Sequence, residues 1–327
     1  VNGSATATAL SGSGAGPYQW TIPLPPEGTV DLELVSGTIQ DLTGNGFLGH
    51  TWSVDLDLTL PDVDVVSPAD TALVNSLTTV SVTFDEDVVN VELADLLVGG
   101  SATATGLSGS GVGPYVFTIP QPADGTVNLS MTTGATATED LAGNAYVGPY
   151  NWSVDLDMVA PVVTTVNPAD GATVTSLTSV AVTFDEDVTG VAMADLLVNG
   201  SATATAVSGT GTGPYTFTIP QPADGAVNLE LLAGAIEDLY GNPYAGGDTW
   251  SYDLDSTPPT LMTRAPADGA LRTTLTSIDV TFTEPVANVN QDDLLVGGVA
   301  TATAISGTGA GPYTFTIPQP ADGPAKV

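Results

Sequence analysis

G-P-Y-V-F-T-I-P-Q-P-A-D-G-T-V-N-L-S-M, residues Gly113–Met131, holds two runs of alternating apolar and polar residues around one turn. Tyr115, Phe117 and Ile119 share one face, Val127, Leu129 and Met131 share another, and P-A-D-G separates them. A period of two belongs to half-buried strands, and Pro, Asp and Gly between two such runs mark the reversal. The stretch is also a repeat marker. G-P-Y stands at Gly16, Gly113, Gly213 and Gly311, giving spacings of 97, 100 and 98 residues. Phe84, Phe184 and Phe282 keep that step, as do Trp52, Trp152 and Trp250, each opening W-S-x-D-L-D. Solenoid and propeller units are much shorter, so each repeat is long enough to be a domain of its own.

Within the second repeat the same alternation recurs in Val80, Val82 and Phe84 and in Trp152, Val154 and Leu156. Shorter apolar runs lie at Val63, Val65 and Val66 and at Leu96, Leu97 and Val98. With the S-A-T-A-T stretch counted, about seven strands in about 100 residues predict an all-β chain of tandem immunoglobulin-like β-sandwiches. No stretch carries helical spacing over three turns. The organisation expected is the back portion of a repeat over 1–57, complete repeats over 58–157 and 158–255, and the front portion of another over 256–327. Pro61, Pro161, Pro258 and Pro259 stiffen the short junctions.

Asp and Glu number 37 in 327 residues, opposed only by Arg264, Arg272 and Lys326, so the net charge is −34. Base is scarce; acid is not in excess. Nucleic-acid binding needs cationic side chains to displace counterions, and anionic lipid needs them too, so both partners are excluded. No apolar run reaches the length that spans a bilayer, which argues against membrane insertion. Val1 does not open a signal peptide, and the sequence reads as an interior piece of a longer chain. With no Cys, neither disulfides nor thiolate metal sites contribute.

Asp62–Asp157 contains 13 carboxylates and no Lys, Arg or His. Each acid there must sit in water, accept backbone N–H bonds or coordinate a cation. The D-L-D exits provide the first candidates: Asp55 with Asp57, Asp155 with Asp157, and Asp253 with Asp255. Alternation places each pair on the outer face of a final strand, roughly 7 Å apart, beside the entry of the next domain. Hard oxygens converging there suit Ca²⁺; a solvated face that discourages edge pairing is the structural alternative. D-x-x-G-N supplies Asp140 with Asn144 and Asp238 with Asn242, read either as a tight turn in which Gly and Asn take positive φ or as part of a calcium loop. The first unit repeats it in Asp41 and Asn45. V-T-F-D-E-D-V at 82–88 and 182–188 becomes V-T-F-T-E-P-V at 280–286. Only the Glu survives, so Glu86, Glu186 and Glu284 are better ligand candidates than the flanking Asp residues. An inward Glu86 would be costly unless bonded, or unless the strand has bent away. P-A-D-G, at Asp70 (where Thr71 replaces Gly), Asp124, Asp170, Asp224, Asp268 and Asp322, reads as turn chemistry.

Catalysis finds little support. His50 is the single histidine and falls beside Gly49 in an expected loop, and the complete repeats hold no His or Lys to serve as a base. Exposed Ser and Thr in S-A-T-A-T are candidate glycan acceptors, and Tyr146 and Tyr150 are candidate sugar-stacking aromatics.

The order P-x-V-x-x-x-x-P-A-D-G-A (Pro161–Ala172), V-x-F-x-E-x-V (Val182–Val188), A-D-L-L-V (Ala194–Val198), P-A-D-G-x-V (Pro222–Val227) and E-D-L-x-G-N (Glu237–Asn242) resembles the bacterial Ig-like repeats of large surface adhesins, biofilm proteins and surface-layer proteins. The resemblance implies an extracellular array, on the cell surface or secreted, with no catalytic residues. Two roles follow from it: an adhesin stalk stiffened by calcium, or a subunit of a self-assembling filament, sheath or surface layer. In either, the partners are neighbouring repeats or other copies of the chain, with a surface glycan as a minor alternative.

Overall fold

A computed structural model describes residues 1–321. Asp322, in the sixth P-A-D-G turn, lies outside the described residues, as does Lys326. The second and third units are two-sheet sandwiches. In the second, one sheet runs Gly106–Ser108, Tyr115–Thr118, Thr79–Phe84, Val63–Ser67 in spatial order. The other runs Ala72–Val74, Tyr150–Leu156, Gly125–Met131, Leu96–Val98. The third unit repeats both, with Ser201–Ala202 added at one edge.

The predicted inward faces form the core. Val80, Val82, Phe84, Tyr115, Phe117, Leu129, Met131, Trp152, Val154 and Leu156 are all buried. Phe84 meets Tyr115 and Tyr146 edge to face, at 6.0 and 5.6 Å between ring centres. Phe184 does the same with Tyr215 and Tyr244. Burying such rings supplies most of the driving force, roughly 25 cal/mol per Å² of apolar surface removed from water. The second and third units each have their own cluster of buried residues, and a third cluster in the last unit centres on Ile278, Tyr313, Phe315 and Ile317.

The Tyr of G-P-Y anchors more than the core. Tyr115 Oη donates to the carbonyls of Val88 and Gly111, at 2.9 and 3.1 Å. Tyr215 and Tyr313 repeat both bonds. The hydroxyl thus ties the glycine-rich loop to the segment after Phe84. The preceding S-G-x-G loop is correspondingly tight. At Gly209, φ is +134° and an added Cβ would lie 2.6 Å from the Pro214 carbonyl oxygen. Gly209→Ala should therefore cost about 2–3 kcal/mol in denaturant unfolding, beyond the usual penalty for positive φ.

Three expectations need correction. S-A-T-A-T is not a full strand: Ser201–Ala202 pairs for two residues, and Ser101 makes one bridge to Val98. Its small side chains offer little apolar area, so the stretch is held by the packing of Ala104 or Ala204 on the core and by the Thr105 and Thr205 N–H bonds to the Thr118 and Thr218 carbonyls, without a continuous ladder. His50 opens the strand His50–Leu56 rather than standing in a loop, and stacks on Trp52. Tyr146 is 3% exposed and donates to the Met131 carbonyl, so it is a core residue and not a sugar platform. Two pairings escape any periodicity: Ala72–Val74 runs parallel to the final strand, and Val88–Val89 pairs with Glu139–Asp140.

Candidate metal centre at the repeat junctions

The exit strand Tyr150–Leu156 delivers Asp157 immediately beyond its last ladder residue. Asp57 follows His50–Leu56 in the same way. Each starts a turn, since Asp157 Oδ1 accepts the Val159 N–H and Asp57 Oδ1 the Thr59 N–H. The first Asp of each D-L-D takes no part in the junction groups: Asp55 and Asp155 accept cross-strand bonds from Thr29 and Thr126, and Asp253 lies opposite Ala226. Asp55, Asp155 and Asp253 therefore sit apart from the acids that converge, because a pleated strand holds them to the sheet while only the residue past its end is free to turn toward the next repeat.

Glu86 is brought in by a bend. The strand ends at Phe84, and the chain is pinned where Asp85 N–H donates to the Asp62 carbonyl while Asp85 Oδ1 accepts the Asp62 N–H. Asp185 holds Val162 N–H identically. In the last unit Thr283 Oγ1 accepts from Thr260 N–H. The variable position flanking the Glu thus keeps an acceptor in all three copies, which is why Thr can replace Asp there. Glu86 consequently points to the junction and not into the core.

Asp140 comes from the D-x-x-G-N turn. It is 2% exposed, its Oδ1 accepts the N–H groups of Ala142 and Asn144, and its Oδ2 accepts Asn144 Nδ2–H at 2.8 Å. Asp238 repeats this with Tyr240 and Asn242. Gly143 and Gly241 have the expected positive φ, near 90°, whereas Asn144 and Asn242 do not. Those Asn residues are selected for their amides: Asn144 Nδ2 also donates to the Asp57 carbonyl at 3.1 Å, and Asn242 Nδ2 to the Asp157 carbonyl at 2.8 Å.

Three acids from two adjacent repeats now meet. One carboxylate oxygen each from Asp57, Glu86 and Asp140 lie within 4.8 Å of one another, and Asp157, Glu186 and Asp238 form the same group one junction on. At the third junction the Glu284 carboxyl lies against Asp255. Two oxygens that share one ion at a Ca–O distance of about 2.4 Å are separated by at most about twice that, so each triad fits within a single coordination sphere. The electrostatics are uneven. Desolvation first, then the charges of Asp57 and Asp140, push the Glu86 carboxyl above its ordinary range, and Glu186 is raised likewise with Asp238 and Asp157 as its neighbours. Burial works against Asp140 as well, but the Asn144 amide and the turn N–H groups outweigh it and lower its pKa. Burial and acidic neighbours thus favour the protonated form of Glu86, while the turn favours the ionised form of Asp140. No base lies nearby: the ion pair found among the described residues, Arg264 with Asp268, is in the last unit.

The P-A-D-G acids serve neighbouring backbone. Asp70 and Asp170 accept the N–H of Ser153 and Ser251, while Asp124 and Asp224 accept those of Met158 and Ser256 just past the exit strands. Asp95 of A-D-L-L-V, which carries no functional signal in the sequence, is fully buried, accepting Glu92 N–H and Thr138 Oγ1–H on one oxygen. Burial raises its pKa, and Asp195 occupies the same place in the third unit.

This chain is a tandem array of immunoglobulin-like β-sandwiches whose adjoining units share acidic junctions. Residues 157–253 match the model of a bacterial Ig-like domain, and the sequence markers of that unit recur through the chain, consistent with a bacterial Ig-like repeat family. Among solved structures the chain is similar to a tandem from titin, at 11% identity over 80% of this chain and 90% of that one, with a TM-score of 0.27. It is also similar to immunoglobulin domains 1–5 of Sidekick-1, at 9% identity over 85% of this chain and 64% of that one, TM-score 0.32. Domains 4–9 of the surface-layer protein SbsC match at 15% identity over 76% of this chain and 38% of that one, TM-score 0.19. No curated protein matches the chain.

Proposed function

We propose that this array is an extracellular structural spacer, a stalk segment of a surface adhesin, and that Ca²⁺ held between consecutive repeats stiffens it. The observation that carries this reading is the convergence of Asp57, Glu86 and Asp140, and again of Asp157, Glu186 and Asp238, from both sides of a junction. A single sandwich has no use for an acid triad completed by its neighbour; an array that must keep its repeats aligned does. The exit Asp, the post-strand Glu and the turn Asp would be the protein ligands, with water filling the remaining positions of a six- to eight-coordinate shell. The cation would supply the positive charge that nearby side chains lack and would bind two repeats at once, linking junction order to ion concentration.

Small-angle scattering of the full chain in chelator and in millimolar calcium tests both halves of the proposal. The maximum dimension should grow and its distribution narrow with calcium. Unchanged curves would remove the stiffening role, and calcium-driven association into larger particles would point to an assembling subunit instead of a stalk.

A further inference from the structure

The Asn of D-x-x-G-N has two amide hydrogens and two partners in different repeats. One goes to the Asp of its own turn, at 2.8 Å in Asn144 and 2.7 Å in Asn242. The other goes to the backbone carbonyl of the preceding repeat's exit residue, at 3.1 and 2.8 Å. In the first unit, Asn45 keeps the bond to Asp41 but gives its other bond to Thr43 Oγ1 within the same turn. The turn itself is built rigidly, with Asp238 N–H bonded to the Asn242 carbonyl and Asp238 Oδ1 accepting two backbone N–H groups. Asn242 is 7% exposed, so its bond across the junction is shielded from competing water. A second contact braces the same turn: Asn75 Nδ2 of the second repeat donates to the Gly241 carbonyl at 2.9 Å. Two bonds from two parts of one repeat to one turn of the next fix direction as well as proximity.

We infer that the D-x-x-G-N turn is the docking element that sets the angle between consecutive repeats, with Asn242 and Asn75 as its positioning residues, and that it does so without an ion. The inference rests on the reading of the chain as an aligned array but not on the cation. Both bonds are neutral amide-to-carbonyl bonds, so their geometry does not require the acids beside them to be charged or neutralised. The turn fits one kind of partner, the end of an exit strand that presents a free carbonyl just past its ladder. Side-chain identity matters: Asp at the Asn242 position would lose the donor, and a residue at Gly241 would have to adopt φ near +90°.

The test uses the full chain, whose lack of Cys lets Thr118→Cys and Thr218→Cys carry spin labels at equivalent exposed sites on the second and third repeats. Pulsed dipolar spectroscopy in chelator should give a narrow distance distribution, and Asn242→Ala should widen it at least about twofold, because domain motion is the default when a small interface loses its contacts. The melting of the third repeat serves as the folding control. Asn75→Ala, at an exposed position, should widen the same distribution and stands in if Asn242→Ala does not fold. A broad distribution in chelator that narrows only with calcium would overturn the latch and leave the cation reading intact. Equal widths for both variants and the parent chain would also overturn it. A narrow parent distribution, widened by the variants and unaffected by calcium, would establish the latch while removing the cation.

Discussion

Millimolar calcium should raise the melting temperature of the full chain by on the order of 10 °C over chelator, and Glu86→Gln with Glu186→Gln should remove most of that rise. A ligand at about 100 times its dissociation constant stabilises by about 2.7 kcal/mol per site, and for a domain of this size each kcal/mol moves the midpoint several degrees. In chelator the same double variant should melt above the parent chain, because a neutral amide then replaces the one carboxyl whose ionisation burial and its two remaining acidic neighbours disfavour. Opposite signs in the two conditions distinguish ligand loss from general damage. Differential scanning calorimetry of both proteins in both conditions gives the answer, and a variant destabilised equally with and without calcium would count against a ligand role.

Acidity gives the same triads a second signature. Glu86 and Glu186 have folded pKa values above the ordinary 4.5, so between 4.5 and the raised values the folded chain binds more protons than the unfolded one. Their contribution is present below that range and is lost as pH rises through the raised values. Asp41, Asp140 and Asp224 are shifted the other way by hydrogen bonds, with Asp224 held at about 2, and what they contribute is lost as pH falls below 3.8. Chelated protein should therefore be most stable in mild acid, and calcium should move that optimum toward neutrality. Urea midpoints across pH 3 to 8, roughly the span in which these carboxyls titrate, would show it.

Phe184→Ala should cost the third repeat about 3–5 kcal/mol, the usual range for emptying a fully buried aromatic site. Phe184 is 3% exposed and sits edge to face with both Tyr215 and Tyr244, so the loss includes two ring pairs as well as area and a cavity. Because the second and third repeats have separate clusters of buried residues, the damage should stay local. Amide hydrogen exchange should accelerate across 163–254 while the second repeat's core strands keep their protection. Equal acceleration in both repeats would mean that they unfold as one cooperative unit.

Much of the fold is written in the sequence as period-two alternation. The long strands declare themselves because Val80, Val82 and Phe84, or Trp152, Val154 and Leu156, need a buried face. Two short strands do not: Val88–Val89 and Ala72–Val74 are too short to show a period, and only tertiary pairing defines them. The junction was legible in part. Comparing V-T-F-D-E-D-V with V-T-F-T-E-P-V isolates the Glu, and D-L-D marks the exit, but which Asp of the pair turns outward depends on where the ladder stops. Asn144 and Asn242 carry a signal that sequence misassigns, since Asn after Gly reads as a positive-φ residue when its amide is what the junction uses. Asp95 gave no signal at all, because a buried carboxylate in A-D-L-L-V looks like any polar residue beside an apolar run.

Titration of calcium into chelator-treated full chain, followed by calorimetry, bears most directly on the junction centres. Saturable binding at the two complete triads, Asp57–Glu86–Asp140 and Asp157–Glu186–Asp238, and its loss in the Glu86→Gln, Glu186→Gln chain, is the result expected. Absence of saturable binding, or binding that the double substitution leaves unchanged, would contradict the assignment.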